Sequence, residues 1–398
     1  MSASQSSRTT GERLRACRRY RGMSQRALAG LAGVSPAFVS MVENGQRTLE
    51  RRAHLAALAD ALHVSISELT GQPIPPTAPA NGTVHALVPA VRTALLGHTL
   101  DHAPALAPRP ARALAEAVEA MASGREHCRD ESTGRELVEL LPELHAAALR
   151  GDDPQTALRA LVMAAKVATS WAKALGYHDL AWIAADRGRQ AALRLESPLH
   201  LAAADYSVAQ ALSGLGAHDQ IGAVVERACA SVPRETSQDL QVYGMLLLTA
   251  ALNRSVTGAG DPDAALDEAR DVAARTGEGT VFRFAFGPTN VAQWSADLAM
   301  DRGDAGRAAR IAQGIDPARI ASDSRRAAYW SHRALALARL RGQEGAAAAA
   351  FRHAEALAPD RLRASPQVRD TLLHLLARAP RPAARDLRGI AHRAGVPL

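Results

Sequence analysis

The stretch that most constrains this chain runs from Ser24 to Gly45, SQRALAGLAGVSPAFVSMVENG. It reads as two short helices about a tight turn. Ser24 is an N-cap residue, with a hydroxyl suited to the free amide N–H groups of a first turn. Behind it Ala27, Leu28, Leu31 and Ala32 recur at helical spacing. Gly33 stands where a left-handed residue ends a helix sharply. Ser35 caps the next helix, and Pro36 takes its first position, where a missing N–H costs nothing. Val39 and Val42 face inward at i and i+3, and Asn44-Gly45 closes the helix. Two helices joined this way form a helix-turn-helix. The first crosses the backbone of a duplex and the second lies in its major groove.

Charge points the same way. The chain of 398 residues is long enough for two or three domains, and its net charge is +7. Residues 1–71 hold ten arginines against five acids, which is +5 of that total. Arg13, Arg15, Arg18, Arg19, Arg21 and Arg26 crowd into the first helix and the start of the second. A basic face confined to one domain is the footprint of phosphate binding. The rival explanation is an arginine-rich composition with no partner, since Lys166 and Lys173 are the only lysines. The asymmetry along the chain argues against it.

The other classes are thinly supported. With 47% hydrophobic but only 4% aromatic residues, helices are expected rather than sheet. No window is apolar enough to span a bilayer, and the polar start is no signal peptide. Cys17, Cys128 and Cys229 are scattered and odd in number, which suits a reducing compartment. Cys17 falls at i+3 from Leu14 and reads as packing. These features predict a cytoplasmic, nucleoid-associated protein that binds no membrane.

Four pieces now carry a resemblance: GERLR at 11–15, RGMSQRALA at 21–29, GVSPAFVSMVENGQR at 33–47 and LAALADALHVSISEL at 55–69. In this order they resemble the XRE/Cro-type helix-turn-helix domain of bacterial and phage repressors. The resemblance implies a five-helix, lambda-repressor-like DNA-binding domain over 1–71 that acts as a homodimer on a double-stranded operator. It places Gln25 on a phosphate and against the recognition helix. It places Asn44, Arg47 and Arg51 on the backbone at the other side, although Asn44 also reads as a plain C-cap. Ser35, Pro36, Ala37, Ser40 and Met41 take the DNA-facing start and outer face of the recognition helix. Here the chain departs from the better-known repressors, which set Gln, Lys or Arg at several of these positions. Ala37 and Met41 suit thymine methyls and Ser40 suits a base or a phosphate, but none makes a bidentate base contact. Direct readout is thin, and DNA shape or an N-terminal arm at Arg8 shares the work. Phe38 reads either as domain packing or as a sugar-phosphate contact. Glu43 reads as the partner of a basic residue within the fold.

The boundaries follow from composition. Residues 1–9 read as disordered. Helices are expected over Thr10–Arg21, Glu50–Leu62 and Ser65–Leu69, and QPIPPTAPANGT at 72–83 is a Pro-rich linker. Residues 84–150 read as a helical connector and possible dimerisation region. Breaks are expected at Gly97 with the following prolines and at 124–136. From Gly151 to the C-terminus a glycine-acid turn and an alanine-rich helix recur, at Gly151, Gly176, Gly216, Gly260, Gly303 and Gly342. After the first, the spacing is about 40 residues, the period of a helical hairpin. Ala184, Ala209, Ala250, Ala308 and Ala334 allow close helix approach, and each hairpin buries its stripe against the next. The fold class is therefore all-α, with an α-solenoid of tetratricopeptide-like hairpins over 151–398 and an end cap at Ser365–Ala377.

No GxSxG, P-loop, HExxH or CxxC motif occurs, so no enzyme and no cofactor are expected. His98 and His102, read as i and i+4 on one helix, and His127-Cys128 are ligand-spaced pairs of the kind that arise readily among fourteen histidines; no metal site is expected. Val281–Trp294 is more telling, because it holds Phe282, Phe284 and Phe286 beside Trp294. Pro288 should open a helix presenting Thr289, Asn290, Gln293 and Trp294. If the hairpins curl, Trp171, Trp182, Tyr243, Asn253, Phe286, Asn290 and Trp294 converge on a groove for a small molecule or peptide, with the amides reading its polar groups. For each aromatic the alternative is simple packing in a solenoid built of alanine. The overall plan is similar to Gram-positive regulators that sense signalling peptides, and closer to actinobacterial XRE regulators with helical-repeat C-terminal halves. It implies a ligand-responsive transcription regulator. The alternative is a DNA-anchored adaptor whose groove grips another protein.

Overall fold

The computed structural model describes residues 9–74, 83–102 and 104–396. Arg8, nearly all of the start read as disordered, and 75–82 of the Pro-rich stretch lie outside them. The described residues are helical throughout, with no strand among them.

Five short helices form the N-terminal domain: α1 (Thr10–Tyr20), α2 (Gln25–Leu31), α3 (Pro36–Glu43), α4 (Arg52–Leu62) and α5 (Ile66–Thr70). Their starts are fixed by side-chain oxygens that take up first-turn amides. Thr9 and Glu12 exchange reciprocal bonds, and Ser24, Ser35 and Ser65 accept from the N–H groups of Ala27, Phe38 and Glu68 at 3.0, 3.1 and 3.0 Å. Leu14, Leu28, Val39, Leu58, Leu62 and Leu69 form a sealed core, each worth about 2 kcal/mol of burial. Leu31 does not join them. It is 67% exposed, at the last residue of α2.

Four helices bridge to the array: α6 (Thr83–Ala86), α7 (Val88–Gly97), α8 (Ala111–Glu126) and α9 (Asp130–Arg150). The break within 124–136 is confined to three residues, because Asp130 and Glu131 already stand in the first turn of α9. His98 and His102 do not share a helix. α7 ends at Gly97, and both histidines fall in the loop beyond it.

Antiparallel hairpins follow: α10 (Pro154–Ala174) with α11 (His178–Arg194), α12 (Pro198–Leu215) with α13 (His218–Ser231), α14 (Ser237–Thr257) with α15 (Pro262–Thr276), α16 (Pro288–Asp301) with α17 (Ala305–Gln313), and α18 (Asp323–Leu337) with α19 (Glu344–Leu357). Gly176, Gly216, Gly260, Gly303 and Gly342 lie between the two helices of each pair at φ between +76° and +87°, where a side chain would be strained. Gly151 has φ −76° and belongs to a different turn. α10 packs on α12, α12 on α14, α14 on α16 and α16 on α18, so the first helices of the pairs make one continuous layer. Three helices close the chain: α20 (Pro359–Arg363), α21 (Pro366–Leu376) and α22 (Arg381–Arg393). The expected cap is α21, and α22 packs beyond it through Leu387, Ile390 and Ala391.

The array curls back on its own start. α18 touches α8, and Arg361 on α20 forks onto the Asp130 carboxylate at 3.0 Å through both Nε and Nη2. Arg283 ion-pairs with Glu119 and Glu126 of α8. The N-terminal domain rests against the first-helix layer, α4 on α14 and α5 on α12. No helix among the described residues is long and apolar enough to cross a membrane.

Candidate nucleic-acid interface and interior cavities

The outer face of α3 is open. Ser35, Pro36, Ala37, Asn44 and Arg47 are exposed, and Ser40 and Met41 are half-buried. The Ser35 hydroxyl is already engaged as the cap of α3.

The inner face is held by one acid. Glu43 is buried and accepts from Arg18 Nε at 2.5 Å, from Arg18 Nη2 at 2.8 Å and from Gln25 Nε2 at 2.8 Å. Burial alone would raise the Glu43 carboxyl. The hydrogen bonds from Arg18 and Gln25 and the charges of Arg18 and Arg15 outweigh it and hold the group below the usual carboxylate range. Gln25 thus links the start of α2 to the end of α3. Phe38 is buried, edge-on to His54 at 4.9 Å between ring centroids, and the Arg47 guanidinium lies 5.0 Å from its centroid. Phe38 is therefore packing, and Arg47 rides on it at the surface. Asn44 is tied locally, to Arg15 and, at 3.4 Å, to Ser40.

Arg51 is set apart from these. Its Nη2 donates to the Arg302 carbonyl of the array at 2.6 Å. Its neighbour Arg52 ion-pairs with Asp301, and Glu50 with Arg339. Gln72 meets His178 Nε2 at 3.0 Å, so the first residue of the Pro-rich stretch is also docked.

Two adjoining cavities share Arg52 and Lys173: one of about 360 Å³ inside the array, touched by the N-terminal domain through Arg52, and one of about 600 Å³ between that domain and the array. The smaller brings together Asn253, Asn290 and Trp294. Both amides are engaged within the protein. Asn253 bonds His218 through Nδ1 and the carbonyl, and Asn290 accepts from Arg325 Nη1 at 3.2 Å. Trp171, Tyr243 and Phe286 are not in either cavity. Trp171 is sealed in the core with its Nε1 donating to the Asp130 carbonyl, Tyr243 bonds Glu268, and Phe286 fills the space beside Gly244. Trp182 is 41% exposed on α11, outside the first-helix layer. The larger cavity collects side chains that the aromatic pattern does not point to: Lys166, Lys173, Gln210 and Arg325. The one signal available for them is that a chain so poor in lysine keeps two on a single helix.

Residues 10–70 match the family model of a helix-turn-helix domain. No curated protein matches the chain, and no solved structure does.

Proposed function

We propose that the chain is a sequence-specific, DNA-binding transcription regulator. In this reading it binds a two-fold operator as a homodimer in the cytoplasm, and its tetratricopeptide-like array senses a small molecule or peptide. The carrying observation is the exposed face of α3, braced from behind by Glu43 and flanked by Asn44 and Arg47, within a segment that matches a helix-turn-helix domain. Half-sites would lie about 34 Å apart, one helical turn, or a multiple of that. The reading assigns no reaction to the chain.

Fluorescence anisotropy of the full-length protein with fragments of genomic DNA tests it. Binding should weaken steeply with salt. Arg47→Ala should lower affinity on all fragments alike and reduce the slope of log affinity on log salt by about 1. Gln25→Ala should lower affinity without changing that slope, because the amide is uncharged. Met41→Ala should shift preference among fragments. Wild-type affinity in both Gln25→Ala and Arg47→Ala would remove this assignment of the interface.

A further inference from the structure

The larger cavity has an unusual balance of charge. Six cationic side chains line it and only one carboxylate, Asp370, which takes the Thr10 N–H at 3.4 Å. Three of the cations are neutralised: Arg52 by Asp301, Arg283 by Glu119 and Glu126, and Arg361 by Asp130. The other three are not. Among the described residues, no carboxylate lies within ion-pair distance of Lys166, Lys173 or Arg325.

These three side chains are held only by neutral groups. Lys173 Nζ donates to Gln210 Oε1 at 2.7 Å. Lys166 Nζ lies 5.4 Å from the centroid of the Phe284 ring. Arg325 donates to Asn290 Oδ1 and to the Phe284 carbonyl. The two lysines stand at i and i+7 on α10, so they project from one face. The aromatic rings of Phe284 and Tyr206, with centroids 4.6 Å apart, line the same cavity. The opposite wall is the N-terminal domain, through Leu55 and Ile66.

A protein gains nothing in stability by enclosing like charges without counterions. Burial first, then Arg325, pulls the Lys166 ammonium down to about 7; Glu126 opposes this, and Arg125 and Arg283 add to it by less. Burial first, then Arg52, pulls Lys173 to about 8. Such a constellation is expected where function, not stability, selects the residues.

We infer that this cavity binds a small molecule bearing an oxyanion, a carboxylate or a phosphate ester, held by Lys166, Lys173 and Arg325 with its body against Phe284, Tyr206 and the DNA-binding domain; the inference rests on the regulatory reading and names the chemical class of its effector. The volume suits a compact ligand and not a folded partner. Because α4 and α5 form one wall, a bound molecule bears directly on how the DNA-binding domain is seated.

The two lysines supply the test. Full-length protein carrying ¹³Cε-lysine gives two signals, one per side chain. Inorganic phosphate and acetate are titrated separately at ionic strength held constant with chloride. Both signals should move saturably at millimolar anion, and the anion that saturates at lower concentration assigns a phosphate ester or a carboxylate. Lys173→Met should weaken that anion tenfold or more. With no anion present, Lys166→Met and Lys173→Met should melt no lower than the wild type, since each removes an uncompensated charge. If a variant fails to fold, the wild-type titration decides. Signals unmoved by both anions, or moved equally by chloride, overturn the inference. Anisotropy on the same samples separates the two readings. DNA binding with silent lysines sinks the cavity alone; saturable anion binding in a protein that ignores DNA sinks the regulator and leaves the site.

Discussion

Glu43 is an acid at the back of a helix whose front is to meet a polyanion, and its surroundings explain why it is tolerated. Arg18 grips it with two nitrogens and Gln25 with a third, all out of water. Glu43→Gln keeps the shape and leaves Arg18 buried without a counter-charge, so it should cost about 3 kcal/mol. Differential scanning calorimetry should show the DNA-binding domain melting earlier. The pH dependence has a definite sign. A carboxyl lowered in the folded state contributes stability above its ordinary value, about 4.3, and loses it as pH falls through the folded value. The gap in melting temperature between wild type and variant should therefore hold at neutrality and narrow in acid; a gap that widens below pH 4 would contradict this pairing. The acid's need of a basic partner was legible in the sequence. Its choice of Arg18 was not, because six arginines crowd the first two helices and only three-dimensional packing ranks them.

Among the helices, the caps and turn glycines were the legible part, because each acts within a few residues of itself. Ser24 and Ser35 cap where they were expected to, and five of the six repeat glycines sit in left-handed turns. What failed were inferences that depend on which face of a helix meets which neighbour. Trp171, Tyr243 and Phe286 are large, and in a framework of alanine they fill the interior before they can line a groove. α22 shows the opposite case: Ala383, Leu387, Ile390 and Ala391 recur at helical spacing and are buried, a stripe that the sequence reading did not single out. Two helical glycines measure this packing with opposite signs. A methyl at Gly244 would overlap the buried Phe286 ring, so Gly244→Ala should destabilise by about 1–3 kcal/mol. A methyl at Gly222 has only Asn253 Nδ2 within reach, at 3.6 Å, so Gly222→Ala should stabilise by about 0.5–1 kcal/mol through helix propensity alone. Urea denaturation of the two variants checks the pair. Equal effects would mean that the Phe286 seat is not as drawn.

At the scale of the whole molecule, the seating of the DNA-binding domain on the array rests on bonds between residues some 250 positions apart, such as Arg51 with Arg302 and Arg52 with Asp301. No local pattern encodes such a contact, which is why the sequence implied two modules and was silent on how they meet. Asp301→Ala strips Arg52 of its partner and should speed amide hydrogen exchange in α4 and α5, leaving α22 unchanged. Asp263→Ala, which removes an exposed pair with Arg302, should do little. Equal exchange in the two variants would show that Asp301 does not fasten the domain. Arg51 carries the larger consequence. Its guanidinium carries five N–H donors and spends one on the Arg302 carbonyl. Were another of them to reach a phosphate, this one side chain would stitch the duplex to the array, and each attachment would change the strength of the other by the same factor.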